Sequence, residues 1–171
     1  MPDYNQPPWN FSELFEQGAD RDLPHFKMVN GDLPVLNLGA GNKKIRGTIA
    51  LDWPEWDAEK DPIPYETESV GGIIAYHFLE HLRDPRPVLR ECSRVLAPQG
   101  VLNIVVPHVM GVMAFQDLDH KSFWTSETWK ELFNNPYYEK DHNGFDFRIG
   151  INVIMGLNER NLMLVSQLIK N

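Results

Sequence analysis

The feature that most constrains the fold is a series of short apolar runs that alternate with segments of helical spacing. The apolar runs are Val35–Leu38, Thr48–Leu51, Gly72–Tyr76 and Val101–Val106. Such runs, bounded by turn residues, are typical of buried parallel strands, which need long crossover connections. The sequence therefore predicts an α/β fold with a mostly parallel sheet and helices on both of its faces.

A crossover helix is predicted between the third and fourth strands. Asp84 is its expected N-cap, and Pro85 fits the first helical position. Apolar residues then recur with a helical period at Val88, Leu89, Cys92, Val95 and Leu96. The turn Ala97–Gly100 closes this β-α-β unit.

The C-terminal part of the sequence has a different pattern. A helix is predicted from near Ser126, and it ends before Pro136. Apolar stretches at Phe145–Met155 and Asn161–Ile169 flank a turn at Gly156–Asn158. This pattern predicts an antiparallel hairpin that completes the sheet.

The chain has 171 residues, 42% of them hydrophobic, which is enough for one core but not for a second domain of ordinary size. We expect a single domain over residues 1–171, with an N-terminal lead at 1–33 and a core at 34–171. In the lead, Asn10 or Ser12 can cap a short helix that stops at Gly18 and that lies across the sheet or covers the site. Its apolar face comprises Phe11, Leu14 and Phe15.

The charge and the cysteine content narrow the possible partners. A formal net charge of −8 disfavours nucleic acid as substrate, and the one basic cluster, Lys43, Lys44 and Arg46, is interpreted as a solvated loop. Cys92 is the only cysteine, so a thiolate zinc site is excluded. No apolar run approaches the ~20 residues of a membrane span, and the N-terminus lacks signal-peptide features. The expected location is the cytoplasm.

Two glycines, Gly39 and Gly41, follow the first predicted strand. They allow close approach of the backbone to a ligand at the carboxyl edge of the sheet. A dinucleotide site would need a third glycine and an acidic residue ~20 positions later, whereas Asp52 comes earlier. At the end of the second strand, Asp52 can accept hydrogen bonds from both hydroxyls of a ribose, and the carboxylate of Asp57 can accept from an adenine amino group.

Taken in order, these motifs resemble the class I S-adenosylmethionine (SAM)-dependent methyltransferases, in particular those of type 11. Residues 36–41 are similar to the family's glycine-rich first motif, and residues 73–82 to its fourth-strand segment. Residues 88–100 are similar to the helix and turn that lead to strand five. The resemblance covers most of Pro34–Phe133 and implies a Rossmann-like fold. The segment after Gly41 is shorter than is usual in the family, as in a compact subgroup.

The resemblance also implies SAM as cofactor and S-adenosylhomocysteine as product. The cofactor-binding residues that it implies are Gly39, Ala40, Gly41, Asp52, Trp53, Asp57, Ala58 and His77. Asp52 corresponds to the acidic residue that holds the ribose, and Asp57–Ala58 to the pair that flanks the adenine. His77 occupies the place that borders the methionine end of SAM.

A competing motif overlaps the fourth-strand segment. Residues 77–81 fit H-x-x-E-H, a zinc-peptidase pattern in which two histidines on one helix bind zinc. Here the strand Gly72–Tyr76 runs directly into His77, so a zinc hydrolase is the less favoured alternative and no metal is expected. For Glu80 and His81, hydrogen bonding at a helix start is expected.

The acceptor side of the site is harder to interpret. The segment Asp117–His120 resembles a D-x-x-H segment that follows strand five in type 11-like proteins, and His120 is a candidate general base. A loop held by carboxylate–imidazole hydrogen bonding is the equally weighted alternative. His108 is a weaker candidate base. The sequence predicts a methyltransferase for a small-molecule or glycan acceptor, with a non-catalytic SAM- or nucleoside-binding accessory protein as the alternative.

Overall fold

A computed structural model describes residues 32–42, 45, 47–134, 145–156 and 160–171. The predicted helix in the lead therefore lies outside the described residues. The basic cluster of Lys43, Lys44 and Arg46 lies outside them as well.

A mixed sheet of six strands forms the centre of the described structure. Its strands are β1 (Val35–Leu38), β2 (Ile49–Leu51), β3 (Val70–Tyr76), β4 (Leu96–Pro107), β5 (Phe147–Gly156) and β6 (Leu162–Lys170). Their order is β2-β1-β3-β4-β6-β5. Strands β1 to β4 pair in parallel, and β6 pairs antiparallel with both β4 and β5. The predicted parallel sheet with a C-terminal antiparallel hairpin is confirmed.

Three short α-helices and one 3₁₀ helix connect the described strands. They are the 3₁₀ helix Leu79–His81, α1 (Arg86–Val95), α2 (Met113–Gln116) and α3 (Thr128–Asn134). Among the described residues, no helix is both long enough and apolar enough to cross a membrane.

The start of α1 differs by one residue from the prediction. Pro85 occupies the N-cap position instead of Asp84, and the helix begins at Arg86. The carboxylate of Asp84 nevertheless accepts hydrogen bonds from the backbone N–H of Arg86, at 3.0 Å, and from its guanidinium, at 2.7 Å. Asp84 thus stabilises the helix start from one position farther out.

Alternate residues of the strands face two separate cores. On one face, Leu36, Ile73 and Leu102 belong to the main core, which also contains buried residues of α1 and α3. On the other face, Ile74 belongs to a smaller cluster, and Met113 of α2 packs against the buried end of the hairpin. Both faces of β1, of β3 and of residues 100–107 in β4 are buried, which explains why these strands are mostly apolar, whereas the edge strand β2 is largely exposed.

The predicted turn Ala97–Gly100 lies within the bounds of β4. The strand already pairs with β3 through Leu96 and Val70, and the register then shifts before Gly72 pairs with Val101. Gln99 has a positive φ of 65°, which changes the direction of the backbone at this point. The turn is therefore an irregularity inside a longer strand rather than its boundary.

Candidate functional site

The glycine turn lies at the carboxyl edge of β1. The backbone N–H of Gly39 donates to the carbonyl of Leu51 at 2.9 Å, which joins the turn to the end of β2. Gly39 and Gly41 have φ of 63° and 52°. A Cβ atom at Gly39 would lie 2.3 Å from Cδ2 of Phe78, whereas one at Gly41 would meet nothing within 4 Å. Glycine at position 39 is therefore required both by conformation and by space.

Asp52 follows β2 and faces the same turn. One oxygen of its carboxylate accepts a hydrogen bond from the backbone N–H of Gly41, and the other accepts from Trp53 N–H at 2.9 Å. A carboxylate has about four lone-pair positions, so these two bonds leave capacity for hydroxyl donors. The neighbouring Trp53 side chain is 74% exposed. The turn and this carboxylate thus form one polar edge.

Asp57 lies in a separate turn close behind Asp52, whose carbonyl accepts a hydrogen bond from Trp56 N–H at 2.9 Å. The Asp57 carboxylate accepts from Lys60 Nζ at 2.6 Å and from the backbone N–H of Glu59 at 3.0 Å. The hydrogen bond from Lys60 is the main reason that the pKa of Asp57 is lowered. Ala58 packs against the main core. The structure thus gives Asp57 partners within its own turn.

His77 follows the strand β3 and has an uncommon backbone conformation. Its φ is 51°, and its backbone N–H donates to the carbonyl of Val105 at 2.8 Å. Positive φ is unusual for a residue with a side chain, and here it turns the chain sharply away from the sheet. The next residue, Phe78, then packs over Gly39. His77 therefore connects the edge of the sheet to the turn that holds Gly39.

The H-x-x-E-H pattern does not lie on one α-helix. His77 precedes the 3₁₀ helix, whereas Glu80 and His81 lie within it. The N-cap position of this helix is Phe78, which makes no side-chain cap. Instead, Nδ1 of His77 lies 3.1 Å from Oε1 of Glu80. The two histidines of the zinc-peptidase pattern thus do not share a helical turn.

His120 lies next to the 3₁₀ helix, although 40 positions separate it from Glu80 in the sequence. Its ring packs edge-on against that of His81, with centroids 5.0 Å apart. Its Nδ1 lies 3.2 Å from the carbonyl oxygen of Ala114, and its Nε2 lies 3.8 Å from the Asp117 carboxylate. The side chain of His120 is only 7% exposed. Asp117 is thus a distant partner of this imidazole.

The structure brings together three residues that sequence analysis did not connect. One possible ligand atom from each of Glu80, His81 and His120 lies within 4.8 Å of the other two. The only signal in the sequence was the presence of histidines in two segments that follow neighbouring strands. Because the path of the loop after β4 decides where His120 lies, the group could not be found from spacing.

His108, the weaker candidate base, is buried just after β4. Its Nδ1 accepts a hydrogen bond from the backbone N–H of Met110 at 3.2 Å. Burial lowers its pKa. The imidazole therefore serves as the acceptor in a local turn.

Comparisons with known proteins concern the family and the fold of this chain. A family model described as a methyltransferase domain matches residues 22–104. A segment of 90 residues is 30% identical to a highly reducing polyketide synthase from Aspergillus nomiae, and it covers 51% of this chain but only 4% of that synthase.

Solved structures share the fold at low sequence identity. The YcgJ protein from Bacillus subtilis is 15% identical, with a TM-score of 0.61 over 86% of this chain and 97% of that chain. A SAM-dependent methyltransferase from Methanosarcina mazei is 14% identical, with a TM-score of 0.59 over 88% of this chain and 98% of that chain. The match to the family model spans the glycine turn and Asp52, and together with the shared fold it supports a class I methyltransferase of type 11 that uses SAM as methyl donor.

Proposed function

We propose that this protein transfers the methyl group of SAM to a hydroxyl of a small molecule or glycan. The observation that carries the proposal is the edge formed by the glycine turn and the Asp52 carboxylate. At this edge, glycine backbone lies beside the Asp52 carboxylate, which is a charged hydrogen-bond acceptor. The backbone suits the amino-acid part of SAM, and the carboxylate suits its ribose.

The proposed cofactor-binding residues follow the edge from the methionine end of SAM to its adenine. The methionine end would contact Gly39, Ala40, Gly41 and His77; the ribose would contact Asp52 beside Trp53; the adenine would contact Asp57 and Ala58. The open space at Gly41 supports the first part, because nothing lies within 4 Å of a Cβ atom built there.

The ion pair of Asp57 is compatible with adenine binding. The Lys60 side chain is 78% exposed, and that of Asp57 is 27% exposed. Because exposed ion pairs contribute little, an adenine amino group can compete with Lys60 for this carboxylate at small cost. We therefore expect Lys60 to move away from Asp57 when the cofactor site is filled.

The chain's main contribution to methyl transfer is alignment. SAM supplies an activated methyl group on a sulfonium, so the nucleophile, methyl carbon and sulfur need only be held in line in a water-poor pocket. A general base helps only if the acceptor is protonated at the working pH. His120 remains the predicted base, through the Nε2 that its contact with Ala114 leaves available.

Selection of the acceptor is assigned to the N-terminal lead, residues 1–33, and to the region after Pro107. In that region, the rings of Phe115 and Phe123 stack at 5.1 Å, and both side chains are at least half exposed. An exposed aromatic pair supports binding of a small acceptor with an apolar face. A single domain over residues 1–171 and a cytoplasmic location remain predictions.

The experiment combines cofactor binding and turnover. Calorimetric titration with SAM should give a Kd that rises about 10- to 150-fold in Asp52→Ala, since a hydrogen bond to a charged group contributes about 1.5–3 kcal/mol. Glu127→Ala is the matched control, because it removes an exposed carboxylate that pairs with Lys130 and is not one of the proposed cofactor-binding residues. Unchanged SAM affinity in Asp52→Ala would rule out the ribose assignment.

Turnover distinguishes the enzyme from the accessory protein. Production of S-adenosylhomocysteine with a hydroxylated small molecule or glycan would support the proposed reaction. SAM binding without turnover on any acceptor in a broad panel would favour the non-catalytic alternative. Absence of SAM binding would refute both.

A further inference from the structure

We propose that Glu80, His81 and His120 form a binding site for a divalent transition-metal ion of the zinc type. One possible ligand atom from each residue lies within 4.8 Å of the other two. In a zinc site the ligand atoms lie about 2.0–2.2 Å from the ion, so the three atoms would move closer together when an ion binds. This inference goes beyond methyl transfer and gives His120 a role alternative to that of general base, because an imidazole nitrogen that binds a metal ion cannot also accept a proton.

The carboxylate of Glu80 provides the strongest observation. The side chain is 1% exposed, and Oε1 is held by Nδ1 of His77 at 3.1 Å. Its other oxygen, Oε2, is buried and has no hydrogen-bond partner among the residues that the structure describes. An unpartnered carboxylate oxygen in the interior is costly, and a bound cation would remove that cost.

The His120 ring is oriented as a metal ligand usually is. Its Nδ1 lies 3.2 Å from the carbonyl oxygen of Ala114, and a carbonyl can only accept, so Nδ1 carries the proton. The lone pair is then on Nε2, on the opposite side of the ring. Histidines that bind metals almost always donate their other N–H to a carbonyl, a carboxylate or water. The Glu80 carboxylate also has an orienting partner, because Nδ1 of His77 lies 3.1 Å from its Oε1.

The backbone holds the two segments of the site together. The carbonyl of Glu80 accepts hydrogen bonds from the backbone N–H groups of Lys121, at 2.7 Å, and Ser122, at 3.1 Å. The hydroxyl of Ser122 donates to the carbonyl of Leu79 at 2.9 Å. Three hydrogen bonds thus fix the two residues after His120 to the helix that carries Glu80 and His81. Such fixed positions lower the entropy cost of closing a metal site.

The donor atoms favour transition metals over magnesium or calcium. Two imidazoles and one carboxylate suit Zn²⁺ and Fe²⁺, whereas Mg²⁺ and Ca²⁺ prefer oxygen ligands. The set also differs from the H-x-x-E-H pattern, because Glu80 is a ligand here and His77 is not. Three protein ligands leave at least one position for water or another small ligand.

The test is direct titration of the metal-free, untagged full chain with Zn²⁺ by calorimetry. We expect about one ion per chain, with affinity for Mg²⁺ at least tenfold weaker. Glu80→Gln, His81→Gln and His120→Gln should each weaken Zn²⁺ binding at least tenfold, since loss of even an indirect partner typically costs 10- to 100-fold. His81 is only half-buried, so His81→Gln is the variant least able to disturb folding.

His108→Asn is the matched control. An asparagine oxygen can replace Nδ1 as the acceptor for Met110 N–H, so this variant removes an imidazole outside the group while keeping its local hydrogen bond. It should bind Zn²⁺ as the wild type does. Titration with Co²⁺ should give visible absorption bands of a low-symmetry site in the wild type, and Glu80→Gln should alter them. No Zn²⁺ binding by the wild type, or equal binding in His81→Gln and the wild type, would overturn the proposal.

Discussion

Substitution of Gly39 by alanine tests the packing at the glycine turn. An L-residue at φ of 63° is strained by about 1–2 kcal/mol. The new Cβ would also lie 2.3 Å from Cδ2 and 2.8 Å from Cγ of Phe78, so the whole ring must move. Overpacking of this kind costs about 1–3 kcal/mol. We therefore expect Gly39→Ala to lower the free energy of unfolding by about 2–5 kcal/mol.

Gly41→Ala is the matched control, because φ at Gly41 is 52° and nothing lies within 4 Å of a Cβ built there. Gly41→Ala should lower the free energy of unfolding only by the cost of the left-handed backbone conformation, about 1–2 kcal/mol. Urea unfolding followed by circular dichroism measures both variants. Each kcal/mol corresponds to about 2–4 °C in Tm for a chain of this size.

A double substitution isolates the contact itself. In a Phe78→Ala background, Gly39→Ala no longer meets Cδ2 and Cγ, although the Cβ of residue 78 still lies 3.0 Å away. The cost of Gly39→Ala should therefore fall by about 1–3 kcal/mol, which is the coupling energy. Equal losses for Gly39→Ala and Gly41→Ala in the natural background would refute the close approach of Phe78. A coupling energy near zero would refute it independently.

Two further predictions concern the packing of the sheet and of α1. Glu91 accepts hydrogen bonds from Arg94, at 2.7 Å and 2.9 Å, and from Ile63 N–H at 2.9 Å, and the bond from Arg94 is the main cause that lowers its pKa. The stabilisation that ionised Glu91 contributes is therefore present above the pKa of Glu91 in the unfolded chain, and it is lost as the pH falls through the lower pKa of the folded chain. Glu91→Gln should unfold at a lower urea concentration than the wild type at neutral pH. This difference should shrink below about pH 4. Trp129→Phe removes the buried hydrogen bond from Nε1 to Ser166 Oγ at 2.7 Å and should lower the free energy of unfolding by about 1–3 kcal/mol, whereas no measurable loss would contradict the importance of this bond.

Much of the sheet follows from local pattern. The first strand was predicted with its observed bounds, Val35–Leu38, because it is a short apolar run between turn residues. The hairpin β5–β6 was also predicted, since two apolar stretches flank a turn. The sequence does not predict the start of β4, because Pro98 and Gly100 indicate a strand boundary. In the structure, Leu96 already pairs with β3, so the strand includes both residues.

The site could be predicted only in part. The glycine turn and Asp52 each follow a strand, and parallel strands bring their carboxyl ends to one edge of the sheet, so these residues meet for a reason that is visible in the sequence. His120 meets Glu80 because hydrogen bonds from Lys121 and Ser122 fix a long loop. Such loop contacts have no sequence period, so spacing does not reveal them.

Calorimetric titration of the purified full chain with S-adenosylhomocysteine tests the proposed cofactor site most directly. We predict binding of one molecule per chain with a Kd in the micromolar range, about −8 kcal/mol. Absence of binding at millimolar ligand would contradict the assignment of the Gly39–Asp52 edge as a SAM site.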